Sequence, residues 1–155
     1  MKGQKKEVRR AIKGKPIRQV AAIPFRVTDA GELEVMLITS RTTKRFIVPK
    51  GWPMKRKSGR KVAAIEAREE AGISGRVLKT VAGSYRYWKR VEAGFVPVEV
   101  TVYLLVVDDV IEDWKERQER KRAWLAPRDA AVLIDEPELA MLLNALTIDS
   151  MVPAA

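Results

Sequence analysis

The chain contains no cysteine and no histidine. The first absence excludes a disulfide framework and fits an intracellular, cytoplasmic setting. Together they remove the usual ligands of zinc and the softer metals, so any metal site must be built from oxygen. No apolar run approaches the length of a membrane span, and the N-terminus has the composition of neither a signal nor a transit peptide. Acids are missing where bases are dense. Glu7 is the only acid among Lys2, Lys5, Lys6, Arg9, Arg10, Lys13 and Lys15. None at all falls between Arg41 and Lys61, a stretch holding Arg41, Lys44, Arg45, Lys50, Lys55, Arg56, Lys57, Arg60 and Lys61. Over the whole chain 30 Lys+Arg stand against 20 Asp+Glu, a net charge of +10. That balance suggests a polyanionic partner, either nucleic acid or a polyphosphorylated small molecule. The basic block reads as a solvated loop or as a surface across which an anion lies.

What is present suffices for a core. At 155 residues and 46% hydrophobic content, one domain over residues 17–150 is expected, with short tails at 1–16 and 151–155. The first tail reads as mobile, or as a short helix ending at Gly14. Arg18 to Val27 reads as a strand, with Pro24 placing part of it at an edge or bulge. Glu34 to Ser40 returns after a turn at Thr28–Gly31, and Phe46 to Val48 is a further short strand. Val77 to Arg90 is extended and rich in aromatics, and Glu92–Gly94 turns it into Val98 to Val107, apolar on both faces like a buried strand. Asp108 to Glu119 reads as a loop or broken helix, and Arg120 to Leu125 as a last strand. Two helices follow, over Arg128 to Ile134 and Glu138 to Leu146. The second has Leu139, Leu142, Leu143 and Leu146 as its buried stripe.

The most informative stretch is Gly51 to Ile73. Ser58 is a plausible N-cap and Gly72 a plausible left-handed C-terminal glycine, which predicts one helix between them. Glu66, Glu69 and Glu70 stand at i, i+3 and i+4 and crowd one face. Each like-charge pair at that spacing costs about 0.2–0.5 kcal/mol in an isolated helix. The end charges are inverted too: Glu69 and Glu70 sit at the negative end, Arg60 and Lys61 at the positive end. The pattern admits two readings. One is a solvated, highly charged face; the other is a site whose bound cation, Mg²⁺ or Mn²⁺, offsets the repulsion.

Here the sequence resembles the Nudix hydrolases, whose pattern is G-x5-E-x7-R-E-U-x-E-E-x-G-U with U a bulky apolar residue. Gly51, Glu66, Glu69, Glu70, Gly72 and Ile73 match; Lys57 replaces a glutamate and Ile65 an arginine. Ala67 is smaller than the usual apolar residue. The resemblance is narrower to the branch of diphosphoinositol polyphosphate and diadenosine polyphosphate phosphohydrolases. Ser40-Arg41, Arg45 to Gly51, Val110 to Trp114 and Arg120 to Trp124 carry that part of it. It implies an α/β/α sandwich with a mixed sheet, and Mg²⁺-dependent hydrolysis (Mn²⁺ in second place) of a phosphoanhydride in a polyphosphorylated small molecule. It further implies metal ligation by Glu66, Glu69, Glu70 and the backbone carbonyl of Lys50. Glu70 would be ligand and base, with Glu116 and Glu119 as second choices for the base. Phosphate contacts would come from Arg18, Arg41, Lys50 and Arg120.

A rival of another class stands beside this one. Tyr85, Arg86, Tyr87, Trp88, Lys89 and Arg90 interleave aromatics with cations, a composition on which bases can stack. The chain would then be a weakly catalytic Nudix fold that binds RNA or nucleotides. The same run also reads as a cross-strand aromatic pair within a sheet.

Overall fold

In a computed structural model, which describes residues 2–151, one mixed sheet is covered by helices on both faces. Chain order is α1 (Lys2–Ile12), β1 (Ile17–Val27), β2 (Leu33–Thr39), β3 (Phe46–Ile47), β4 (Lys50–Gly51), α2 (Gly59–Ala71), β5 (Ile73–Val91), β6 (Gly94–Val110), β7 (Arg122–Leu125), α3 (Pro127–Leu133) and α4 (Pro137–Asn144). The main path across the sheet is β3-β2-β1-β6-β5, with β4 also paired to β1 and β7 to β2. β1 and β6 run parallel from Ile17↔Val98 to Phe25↔Val106, and the other pairings are antiparallel. The α/β/α sandwich implied by the sequence pattern is the fold.

Alternation along the strands builds the two layers. Ile17, Ala21, Ile23 and Phe25 of β1, with Val98, Val100, Val102 and Leu104 of β6, meet Ala11 of α1, Ala130 and Ala131 of α3, and Leu139 and Leu143 of α4. Val20 and Ala22 of β1, with Met36 and Ile38 of β2, meet α2 on the other face. α2 turns Val62, Ala63, Ala67 and Ala71 toward the sheet, and this small-residue stripe lets it lie close. Its ends are those expected. The Ser58 hydroxyl accepts from the Lys61 N–H at 3.2 Å, and Gly72 stands at φ 65° with its N–H donating to the Arg68 carbonyl.

Of the two readings of the N-terminal segment the helix is the one observed, as α1, where Val8 and Ala11 find apolar partners on the sheet. Three expectations need adjustment. Pro24 lies in a central strand, not at an edge. Its missing N–H falls where β1 changes partner: Ala22 N–H donates to the Pro49 carbonyl, and pairing with β2 begins at Phe25. The acidic run from Asp108 extends β6 to Val110 before turning, so only its second part is loop. α4 stops at Asn144, which leaves Leu146 partly buried just beyond it. Of the expected C-terminal tail, residues 152–155 lie outside the described residues. Among the described residues no helix is long and apolar enough to cross a membrane.

Candidate active site

The site forms at the C-terminal end of α2, and long-range partners make its inverted charges tolerable. The Trp114 indole N–H donates to the Glu70 carbonyl at 3.0 Å. Arg122 of β7 donates to the Ala71 and Gly72 carbonyls at 3.0 and 3.2 Å and lies 3.9 Å over the Trp114 ring. The cation that belongs at a helix C-terminus is thus supplied by another strand. Gly72 is required twice over: its φ is left-handed, and a Cβ there would come within 2.6 Å of the Trp114 ring.

Above this end the carboxylates gather. The Glu66 carboxylate lies against Gly51, where a Cβ would fall 2.3 Å from it. Glu70 accepts the Lys50 N–H at 3.1 Å, and its other oxygen is 3.5 Å from the Arg120 guanidinium. Arg120 also donates to Glu116 at 2.8 Å and to the Thr39 carbonyl at 3.1 Å. Glu69 turns to Lys115 at 3.6 Å. Burial first, then the charges of Glu70, Glu69 and Glu116, push the Glu66 carboxyl up to about 7. Burial also raises Glu70, against the opposing pull of Arg120 and the Lys50 N–H. Lys50 is pushed down to about 8 by burial, with Glu70 and Glu136 opposing.

As placed, no three acidic side chains among the described residues converge on one point. Glu69 and Glu70 are turned to cations and a peptide N–H instead. The donor set nevertheless fits a hard divalent cation in kind: it is all oxygen, and its crowding raises Glu66 in a way that a nearby cation would relieve.

The other predicted residues divide. Arg41 is exposed and 3.9 Å from Glu119, so it is available to a ligand at little cost. Arg18 is exposed on β1. The Lys50 ammonium sits 5.5 Å from the Tyr87 ring centre. Arg120 is buried, 8% exposed, and its guanidinium is engaged by two carboxylates and a carbonyl. Of the two second-choice bases, Glu116 stands at the site, while Glu119 is half exposed beside Arg41. Lys57 is exposed, just ahead of the N-cap and at the far end of α2 from Glu69 and Glu70. Ile65 is partly buried.

Several contributors escaped the sequence reading. Arg45 pairs with the buried Glu136 at 2.7 Å and with Asp135 at 3.6 Å. Tyr87 donates to Gln19 at 2.6 Å, and burial pushes its hydroxyl up to about 12. Only the period-2 alternation of Tyr85 and Tyr87 with exposed Arg86 and Trp88 signalled that both tyrosines turn inward. Nothing local marks Arg122 or Glu136.

No family model matches the chain. Among curated proteins, it is 30% identical over 121 residues to Nudix hydrolase 16, mitochondrial, of Arabidopsis thaliana, covering 70% of this chain and 67% of that one. It is 32% identical over 116 residues to diphosphoinositol polyphosphate phosphohydrolase 2 of Rattus norvegicus, covering 73% and 60%. The chain spans roughly 60–67% of the length of the curated relatives it matches. Its fold is similar to that of an Ap4A hydrolase from C. elegans, with a TM-score of 0.60 at 19% identity over 84% of this chain and 95% of the other. Nudix hydrolases generally use divalent metal ions, and Glu66, Glu69 and Glu70 lie on α2 where the family pattern runs. The chain belongs to the Nudix hydrolase family.

Proposed function

We propose that the chain hydrolyses a phosphoanhydride bond in a polyphosphorylated small molecule of diadenosine polyphosphate or inositol pyrophosphate type, using Mg²⁺, or Mn²⁺ in its place. The observation that carries this reading is the carboxylate cluster itself: Glu66 seated on Gly51, Glu70 tied to the Lys50 peptide, and Glu116 beside them through Arg120. Glu66, Glu69, Glu70 and the Lys50 carbonyl would hold the cation. When bound, it supplies positive charge against phosphate oxygens and makes a water molecule easier to deprotonate.

The chain's own groups do the rest. Glu70 takes the proton of the attacking water at a carboxylate oxygen, with Glu116 as the alternative acceptor. Arg120 keeps both carboxylates in place, since its guanidinium bridges them. The ammonium of Lys50 and the guanidinium groups of Arg41 and Arg18 attract the phosphate chain and offset charge on the departing phosphate. In this reading Arg120, though buried, keeps its place among the phosphate contacts beside its hold on Glu70 and Glu116.

A screen of dinucleoside polyphosphates, nucleotide sugars, inositol pyrophosphates and capped RNA tests this reading. Release of phosphate-containing product with Mg²⁺, and none with a chelator, is the expected result for a dinucleoside polyphosphate or an inositol pyrophosphate. Failure to turn over any of them above the blank would count against hydrolysis. The cytoplasmic setting suggested by the absence of cysteine is part of the same proposal, and fractionation tests it, since the Arabidopsis relatives are named as mitochondrial.

One observation favours the rival reading. Trp88 and Phe95 are 68% and 67% exposed on the β5–β6 hairpin, beside Arg86 and Arg90. A base stacking there would quench Trp88 fluorescence. RNA binding that saturates while every substrate stays intact would make the chain a binding module.

A further inference from the structure

Far along α2 from the glutamates, a break in β5 opens a second site. Val77 pairs with Leu105 and Val81 with Tyr103, so four residues of β5 span two of β6, and Leu78, Lys79 and Thr80 fall outside the ladder. At this bulge lies a partly open cavity of about 560 Å³, lined among others by Ile23 of β1, Leu104 of β6, Leu142 of α4 and Leu146 just beyond it. Gly83 lets α4 come in: a Cβ there would stand 2.6 Å from Leu142. Volumes of about 300–1,000 Å³ suit small organic ligands.

The walls are mostly apolar, and the lining contains no acid but three cations: Arg60, Arg76 and Lys79. Arg60 is the informative one. One end of its guanidinium donates to the Val77 carbonyl at 2.8 Å, yet its Nε–H is buried with no acceptor. A buried donor left unpaired is costly, and Arg60 is the cavity-lining residue that carries one. None of Glu66, Glu69, Glu70, Glu116 or Lys50 lines this space. Arg60 precedes Glu66 by six residues, about 9 Å along the helix axis. A polyphosphate is too strongly hydrated for walls of leucine and isoleucine, so the occupant is of another class.

We propose that this cavity binds an apolar carboxylate, a hydrocarbon body with one anionic end, with the carboxylate paired to the Arg60 guanidinium and the body against Ile23, Leu104, Leu142 and Leu146. Arg76 and Lys79 at the bulge add attraction for the charge. The site does not depend on the hydrolase reading.

The test is a titration of the full chain with octanoate and with 1-octanol, followed by ¹H–¹⁵N and methyl NMR. Octanoate should bind one site, shifting resonances of the lining residues, and octanol should bind about tenfold or more weakly. Arg60→Gln should bring octanoate down to the level of octanol. Leu146→Trp, which fills the cavity, should abolish both. Arg128→Gln, which removes one exposed cation elsewhere, should leave binding unchanged and so exclude general attraction to a basic protein. The comparison of acid with alcohol in the unaltered chain stands even if a variant fails to fold. Equal binding of the two, shifts scattered over the surface, indifference to Arg60→Gln, or no saturable binding at low millimolar octanoate would each overturn the proposal.

Discussion

Replacing Gly51 by alanine probes the site at its tightest contact. A Cβ at that position would stand 2.3 Å from the Glu66 Cδ and Oε1 and 2.8 Å from Oε2. Ordinary contact begins near 3.4 Å, so the carboxylate must retreat by about 1 Å. The backbone offers no other obstacle, because Gly51 does not occupy a left-handed conformation and pairs with Val20 as an ordinary strand residue. The clash therefore falls on the mobile end of Glu66, and the fold should survive with its circular dichroism intact. Misplacing a ligand through its neighbour costs about 10–100-fold in metal affinity, or about 1.4–2.8 kcal/mol. Two assays read this: Mn²⁺ binding by electron paramagnetic resonance without substrate, and the Mg²⁺ dependence of hydrolysis. In a Glu66→Ala background the same change should add nothing, since Gly51 acts only by seating that carboxylate. Unchanged Mn²⁺ affinity in Gly51→Ala would refute the idea that Glu66 holds the cation from where it sits.

The remaining predictions concern its neighbours. Ile65→Arg, which restores the family residue, should change kcat/KM by less than about tenfold, because Gly51 already seats Glu66; a large gain in rate and metal affinity would mean that Glu66 is poorly held. Arg120→Met should destabilise the fold by about 1–3 kcal/mol in chemical denaturation, because it leaves the part-buried Glu70 and Glu116 without their shared cation. Arg41→Ala should instead keep stability and raise KM more for long phosphate chains than short ones, with the gap closing in high salt; equal losses on both would remove Arg41 from the phosphate path. In the metal-free protein, Glu66 holds its proton up to about pH 7 when folded and to about 4.5 when unfolded, so folding is favoured at low pH. Stability should therefore decline between those values by on the order of 1–2 kcal/mol, a figure already reduced for the partial exposure of Glu66. Glu66→Gln should flatten the thermal-melting profile in chelator, and an equally steep profile in that variant would assign the effect elsewhere.

What the sequence made legible was local. Ser58, Gly72 and the spacing of Glu66, Glu69 and Glu70 are signals within one helix, and each stands where the spacing put it. The stripe of α4 is equally local: Leu139 and Leu143 are buried as expected, and Leu142 and Leu146 pack at its border. Contacts between distant segments could not be read. The parallel pairing of β1 with β6 joins residues about eighty apart, and the partner change that accommodates Pro24 depends on β4 and β2 arriving on the same side. Arg120 and Arg122 are two residues apart in one basic run, yet one is buried against Glu70 and Glu116 while the other closes the end of α2. Their composition is identical, and only the placement of β7 beside β2 separates the roles. The inverted charges of α2 looked unfavourable for the same reason, since the compensating cations and the Trp114 indole come from a later segment, 44 to 51 residues along the chain.

The central claim, that the carboxylates at the end of α2 perform metal-dependent hydrolysis, is tested most directly by Glu70→Gln. The substitution keeps the size of the side chain and removes its charge, while circular dichroism and denaturation confirm that the fold persists. Product release is measured at saturating Mg²⁺ on the substrate that the wild type cleaves best. The account predicts a rate below about a tenth of wild type, together with a higher Mg²⁺ requirement. A variant that keeps more than about a tenth of the rate at saturating Mg²⁺ would contradict it and move the chemistry away from this helix.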